Sequence, residues 1–405
     1  MRWQIMKYLV VLGDGMADYK LEELDNLTPL EKAKKPTIDF LAKHGELGQV
    51  KTVADGLKPG SDVANLSVMG YNPFDVYTGR SPLEAASIGV DMAETDVSFR
   101  CNLVCLSEDM PYENKSMVDY SSDEISTAEA KILIEYINGK LRTDDIEFFP
   151  GISYRHLMLW HNGGDQYRLT PPHDISGRKI SEYLPDHPII LEMMKKSYEL
   201  LKDHPVNKDR IKRGLRPANS AWIWGEGKKP LLYDFEKEFH KKASVISAVD
   251  LIKGIAICAN MDSIDVEGAT GNINTNFSGK AQAAIEEFKK GQDFVYIHIE
   301  APDESGHRHE IDNKVKSIEE ISEKIVKPLL DYLNNCGEDF SILVTPDHPT
   351  PISLMTHTND PVPFIIYRST DLKDYPDRIY SEDCAKETQI FIKEGHTLIR
   401  HFFGE

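Results

Sequence analysis

At 405 residues, with 40 % apolar and 28 % charged side chains, the chain is long enough for two domains and has the composition of a globular protein with a sizeable core. Its formal net charge of -19 speaks against nucleic acid or an anionic membrane as main partner, and an anionic substrate would have to find local cations. No apolar run approaches the roughly 18 residues of a membrane span and the start lacks the order of a signal peptide, so a cytoplasmic protein is expected.

In chain order, Tyr8–Leu12 is a short apolar run closed by Gly13 and reads as a buried strand. Asp14 follows it in LGDGM, either as a turn aspartate or as a carboxylate presented by the turn. A helix is expected over Pro36–His44, and another opens after Gly60 in PGSDVANLSVMGYNP. Ser61 then stands at a helix N-terminus, where it is either a cap or a hydroxyl whose phosphoryl ester the positive helix end would stabilise. From about Thr95 to about Phe239 strand signals weaken, with a proline-rich turn at Thr170–His173 and a charged run at Asp203–Arg216. The α/β pattern resumes at Ala243–Ile257. The expected organisation is therefore one domain from residues 1–92 and 241–405, with 93–240 inserted as a substrate-binding lid.

Phe294–Ile299 is the next strand, followed by Asp303 and His307 in D-x-x-x-H, a spacing that lets both reach one ion from a helical turn or a tight loop. Val315, Ile318, Ile321, Ile325, Leu329 and Leu333 recur at threes and fours, as one amphipathic helix would place them. Ile342–Thr345 and Phe364–Tyr367 read as further strands, and all four runs are expected to be parallel. Between the last two lie Asp347, His348 and, in a proline-bounded loop, His357. In an open α/β sheet with helices on both faces, the carboxyl ends of strands gather ligands. Each histidine alone is an ordinary surface or core residue, but three carboxylates and three imidazoles after successive strands suit Mn²⁺, Zn²⁺, Fe or Co²⁺ better than Ca²⁺. With Ser61 they make a candidate two-metal site. Five cysteines without a C-x-x-C pair suit reduced thiols and disfavour zinc-thiolate chemistry.

The stretches VVLGDGMAD, GLKPGSDVANLSVMGY, YTGRSPLEAASIG, EGATGNINTNF, APDESGH, TPDH and HTNDPVPF, in that order, resemble the alkaline phosphatase superfamily. Within it the chain is similar to the archaeal-type branch of the cofactor-independent (2,3-bisphosphoglycerate-independent) phosphoglycerate mutases. The resemblance implies an α/β fold, an alkaline-phosphatase-like doubly wound and mostly parallel sheet with an inserted α+β domain. It implies an isomerase interconverting 3-phosphoglycerate and 2-phosphoglycerate through a phosphoserine at Ser61, without 2,3-bisphosphoglycerate. Asp14, Ser61, Asp347 and His348 would surround one divalent ion and Asp303, His307 and His357 the other, manganese being expected ahead of magnesium, zinc or cobalt. Lys253 would touch the transferring group or protonate the leaving alkoxide, or else is an exposed helix lysine. Asp174 would carry a proton, and His173, Arg155, Arg168, Arg178 and Arg100 would hold the substrate, with Arg80 as a further cation.

One departure weakens the substrate assignment. NSAWIWGEGKKP places Trp224 where an arginine is expected before Gly225, a pattern that resembles a bacterial subgroup proposed to act on homoserine. A homoserine kinase-like phosphotransferase is therefore the alternative, although no Walker-type phosphate loop occurs. A metal-dependent phosphatase comes third.

Overall fold

The computed structural model describes residues 6–164 and 167–405. They form two compact units, one from residues 6–77 and 231–405 and the other from 78–230. The first is built on an eight-stranded sheet in the order Phe391–Ile392, Glu46–Val50, Val362–Arg368, Asp339–Thr345, Met6–Gly13, Phe294–Ile299, Ala243–Ile246 and Asp262–Ile264.

The register at the sheet's centre decides where the chemistry gathers. Met6–Gly13 pairs in parallel with both neighbours, Leu12 opposite Thr345 and Gly13 opposite Ile299. Three strands thus end at one level, and the residues just beyond them emerge side by side. Alternate residues of Met6–Gly13 serve the two faces, as the pleat requires. Leu9 and Val11 enter a core with Ile38, Leu41, Phe288, Ile325 and Leu329. Tyr8 meets Phe402 and Phe403 edge-on. Each fully buried aliphatic or phenyl side chain contributes about 1.5–3 kcal/mol, so a sheet covered on both faces supports a strand that is almost wholly apolar.

Two expectations need correction. Val362–Arg368 runs antiparallel to Asp339–Thr345 and to Glu46–Val50. The connecting residues 346–361 contain no helix, and a parallel pair needs a crossover connection. The single helix expected through Leu333 is three consecutive segments, Ile311–Glu320, a π-helical turn at Ile321–Val326, and Lys327–Asn335. Pro328 supplies no N–H to the preceding turn, and a widened turn accommodates it.

In the second unit Val97–Leu106 pairs antiparallel with Met117–Asp119, Arg155–Trp160 and Ser220–Lys228, and Ile146–Phe149 continues the sheet beside Arg155–Trp160. Helices Thr127–Leu141 and Pro188–Leu201 bury Leu133, Ile137, Met194 and Leu201 against it. The unit begins at residue 78, not 93, because helix Ser81–Ser87 belongs to it. The Ser81 hydroxyl donates to the Ser98 carbonyl at 3.0 Å, and a Cβ on Gly227 would come within 2.6 Å of Pro82 Cδ. It ends at 230, not 240, because Phe235 and Phe239 join Phe294 and Phe403 in the aromatic core of the first unit.

His156 gives this second unit an acid sensitivity. It is 4 % exposed, its Nδ1 accepts the Gly151 N–H at 3.0 Å, and its Nε2 has no partner among the described residues. Burial, and then Arg155, push the imidazole from 6.5 down to about 3. The unfolded chain takes up the proton first, so the stabilisation is complete above about pH 6.5 and is lost as pH falls toward 3. Between pH 7 and pH 5 the loss is about 2 kcal/mol. His156→Asn keeps an acceptor for Gly151 without titrating and should remove that increment. Urea melts followed through Trp160, Trp222 and Trp224 measure it, and an unaltered pH slope would place the acid sensitivity elsewhere.

Candidate metal centre

Asp14 follows the central strand, and Gly15, at φ +59°, turns the chain under it. A Cβ on Gly15 would lie 2.5 Å from Thr350 Oγ1 and 2.7 Å from Asp303 Oδ1, so only glycine fits. Asp303 and His307 occupy helix Ala301–His307 one turn apart, with His307 Nε2 3.3 Å from Asp303 Oδ2. Asp347 and His348 follow the neighbouring strand, and His357 returns on the loop before Val362.

All seven expected ligands converge. Asp14, Asp347 and His348 place ligand atoms within 4.8 Å of one another, and so do Asp303, His348 and His357. His348 therefore stands between the two groups. Its Nε2 is 3.3 Å from Asp347 Oδ2 and 3.6 Å from Asp14 Oδ1. His307 Nε2 is 2.8 Å from His357 Nε2, which is 3.3 Å from Asp303 Oδ1. The Met355 carbonyl accepts the His307 Nδ1–H at 3.0 Å, which leaves the Nε2 lone pair to ligate a cation.

Ser61 is the first residue of helix Ser61–Val68, not its cap. Gly60 holds the cap position, and no side-chain capping bond is made there. The Ser61 Oγ instead lies 3.1 Å from His348 Nε2 and 3.5 Å from Asp14 Oδ1. Asp62 accepts the Val63 N–H at 2.9 Å, so the free backbone donor is served without the serine.

The electrostatics fit a bound cation. Burial, then Asp347, Asp303 and Glu300, push the Asp14 carboxyl well above the usual carboxylate range. Burial also opposes ionisation of Asp303, but hydrogen bonds with His307 and His357 outweigh it and hold that carboxyl well below its ordinary value. The same bond raises His307 to about 9 against its burial. Protons here do the work that divalent ions would do, since buried carboxylates crowded together need positive charge.

Four residues at this site were not anticipated. The His298 imidazole is 2.8 Å from Asp14 Oδ2. Thr350 donates to Asp303 Oδ1 at 2.5 Å, Asn65 donates to Asp347 Oδ2 at 2.9 Å, and Tyr296 donates to Asn65 at 2.6 Å. A polar residue inside an otherwise apolar strand, as His298 is in YIHI, was the available signal, because a buried imidazole must find a partner.

The other expected residues are dispersed. Lys253 lies on helix Asp250–Cys258 with its ammonium 2.5 Å from Asp265 Oδ1, an ion pair rather than a member of the cluster. The remainder belong to the second unit. There Arg100 and Trp224 are cross-strand partners, the guanidinium 4.3 Å from the indole centre and its Nε bonded to Glu84 at 3.0 Å. Trp224 Nε1 donates to Asn102, whose own cross-strand partner is Arg155. His173 packs edge-on against Trp224 at 5.4 Å and pairs with Asp174 at 3.5 Å. Arg100, His173, Asp174 and Arg155 thus share one neighbourhood. Arg178 bonds the Tyr183 hydroxyl instead, and Arg168 is exposed. Trp224, which replaces an expected arginine, carries one from the next strand.

Comparison with known proteins places this arrangement in context. The family model described as 2,3-bisphosphoglycerate-independent phosphoglycerate mutase matches residues 42–207. The chain is 48 % identical over 398 residues to the protein of that name from Methanosarcina barkeri, covering 97 % of this chain and 98 % of the relative. It is 46 % identical to a probable 2,3-bisphosphoglycerate-independent phosphoglycerate mutase from Geobacter sulfurreducens, covering 97 % and 98 %. The solved cofactor-independent phosphoglycerate mutase from Thermoplasma acidophilum superposes with a TM-score of 0.65 at 23 % identity over 98 % of this chain and 99 % of that one, a likeness of fold.

Proposed function

The chain belongs to the family of 2,3-bisphosphoglycerate-independent phosphoglycerate mutases, and from that premise we propose that it interconverts 3-phosphoglycerate and 2-phosphoglycerate through a phosphoserine at Ser61. The observation that carries the reading is the Ser61 hydroxyl, uncommitted to capping and turned toward His348 and Asp14. The kinase alternative has no support, since the relatives named are mutases.

We assign Asp14, Asp347, His348 and Ser61 to one divalent ion and Asp303, His307 and His357 to another, manganese suiting the mixed oxygen and nitrogen donors. Such ions, when bound, lower the pKa of a coordinated hydroxyl and neutralise charge on a phosphoryl group. Ser61 Oγ attacks phosphorus as the bond to the substrate oxygen breaks, and the leaving oxygen takes a proton. Glycerate is retained, its other hydroxyl attacks the phosphoserine, and Ser61 recovers its proton. The phosphoryl group rests meanwhile at the N-terminus of helix Ser61–Val68, where the helix dipole favours negative charge. Water must be kept from the phosphoserine, or the enzyme becomes a phosphatase. Lys253 is engaged by Asp265 and takes no part in this scheme, while Asp174 of the second unit is of the type suited to carrying a proton, and Arg100, Arg155, Arg168, Arg178 and His173 of the types suited to a carboxylate or phosphate.

Mutase turnover of metal-stripped protein refilled with Mn²⁺, measured beside phosphate release and ATP-dependent homoserine phosphorylation, tests the reading. Turnover without net phosphate release is expected. Phosphate release in its place would make the protein a phosphatase. Arg100→Met should raise KM about ten-fold or more with a smaller change in kcat, as loss of a charged hydrogen bond to substrate would. Equal KM in the variant would remove Arg100 from the binding set.

A further inference from the structure

His298 lies fully buried in the strand Phe294–Ile299, and the phosphoryl-transfer scheme gives it no part. Its Nε2 is 2.8 Å from Asp14 Oδ2 and its Nδ1 is 3.3 Å from Ser247 Oγ. Ser247 Oγ already accepts the Val249 N–H at 3.0 Å, which directs its own proton toward the imidazole. With a cation bound, Asp14 is ionised and its Oδ2 can only accept. One polarity remains: the Ser247 hydroxyl donates to Nδ1, and Nε2–H donates to Asp14 Oδ2. The Lys280 ammonium, itself buried, donates to the His298 carbonyl at 2.8 Å and holds the strand end from which the ring projects. Asp14 Oδ1 is then the oxygen left facing Ser61 Oγ at 3.5 Å and His348 Nε2 at 3.6 Å.

We infer that His298 is a positioning residue whose Nε2–H pins Asp14 Oδ2, so that Asp14 offers only Oδ1 to the cation it shares with Asp347 and His348. The inference rests on the metal assignment of the proposed function. Asn65 and Thr350 restrain Asp347 and Asp303 in the same manner, and Ser247 orients His298 as Tyr296 orients Asn65. An aliphatic side chain here would leave Asp14 Oδ2 buried without a donor, and the carboxylate free to rotate. Outer partners of this kind hold ligands in place and account for about ten- to hundred-fold in metal affinity.

Mn²⁺ titration of the metal-stripped full chain by calorimetry, with elemental analysis of the bound metal, is the test. Wild-type protein should show two binding events. In His298→Leu one event should weaken about ten- to hundred-fold while the other stays within two-fold. His298→Gln, whose amide reaches as far as Nε2, should recover most of the loss. Ser247→Ala, which lets the ring take the other tautomer, should weaken the same event a few-fold with an unchanged melting temperature. A folded His298→Leu or Ser247→Ala protein with both events within two-fold of wild type overturns the inference, as does a Gln variant as impaired as the Leu variant. If His298→Leu does not fold, the Gln and Ser247 variants decide alone. Wild-type protein that takes up no Mn²⁺ would instead refute the metal assignment, and this inference with it.

Discussion

Ser61→Ala is expected to lower mutase turnover by on the order of 10⁴-fold or more, as loss of a covalent nucleophile does, while leaving the melting temperature nearly unchanged. The second half comes from the geometry. A serine that capped its helix would cost about 0.5–2 kcal/mol on truncation, but Gly60 holds the cap position and the Ser61 hydroxyl makes no capping bond. Alanine is a good helix former and should cost no more than about 0.5 kcal/mol at this position. Thermal melts and turnover separate the two effects. Intact-mass measurement of acid-quenched wild-type enzyme with phosphoglycerate should show one added phosphoryl group, absent from the variant. Retained turnover in Ser61→Ala, or no phosphorylated wild-type species, would favour direct transfer between bound substrates.

His307→Ala and His357→Ala should each remove one of the two metal ions per chain and lower turnover by about 10²- to 10³-fold, the scale seen when one preorganised electrostatic group is lost. Both imidazoles are partly exposed, and neither belongs to a hydrophobic cluster, so the fold should persist. Asp303 has an oxygen 3.3 Å from each, and either deletion leaves an incomplete donor set. The pH dependence has a definite sign. Without metal, the bond to Asp303 raises His307 to about 9. An ion must displace that proton, so its affinity should rise roughly ten-fold per pH unit between pH 6 and pH 8 and level off near 9. Elemental analysis across pH measures this. Undiminished metal content in both variants would place the second ion elsewhere.

Local pattern carried much of this protein. Phe294–Ile299 and Pro36–His44 have the bounds that apolar runs and helix-breaking neighbours imply. D-x-x-x-H already contains the one-turn spacing that faces Asp303 and His307 to each other. The recurrence of acid and histidine after successive strands pointed to one site, because parallel strands in register deliver the residues at their carboxyl ends to one edge. What the tertiary structure alone decided is orientation and partnership. The direction of Val362–Arg368 depends on whether residues 346–361 return as a loop or cross over as a helix, and its apolar pattern suits either. Helix Ser81–Ser87 declares its unit only through contacts with strands farther along the chain. Arg100 finds its seat on Trp224, and His298 finds Asp14 across 284 residues. Periodicity is written between near neighbours, where the backbone sets the spacing. A hydrogen bond between distant residues depends on the register of several strands at once, and no short stretch contains it.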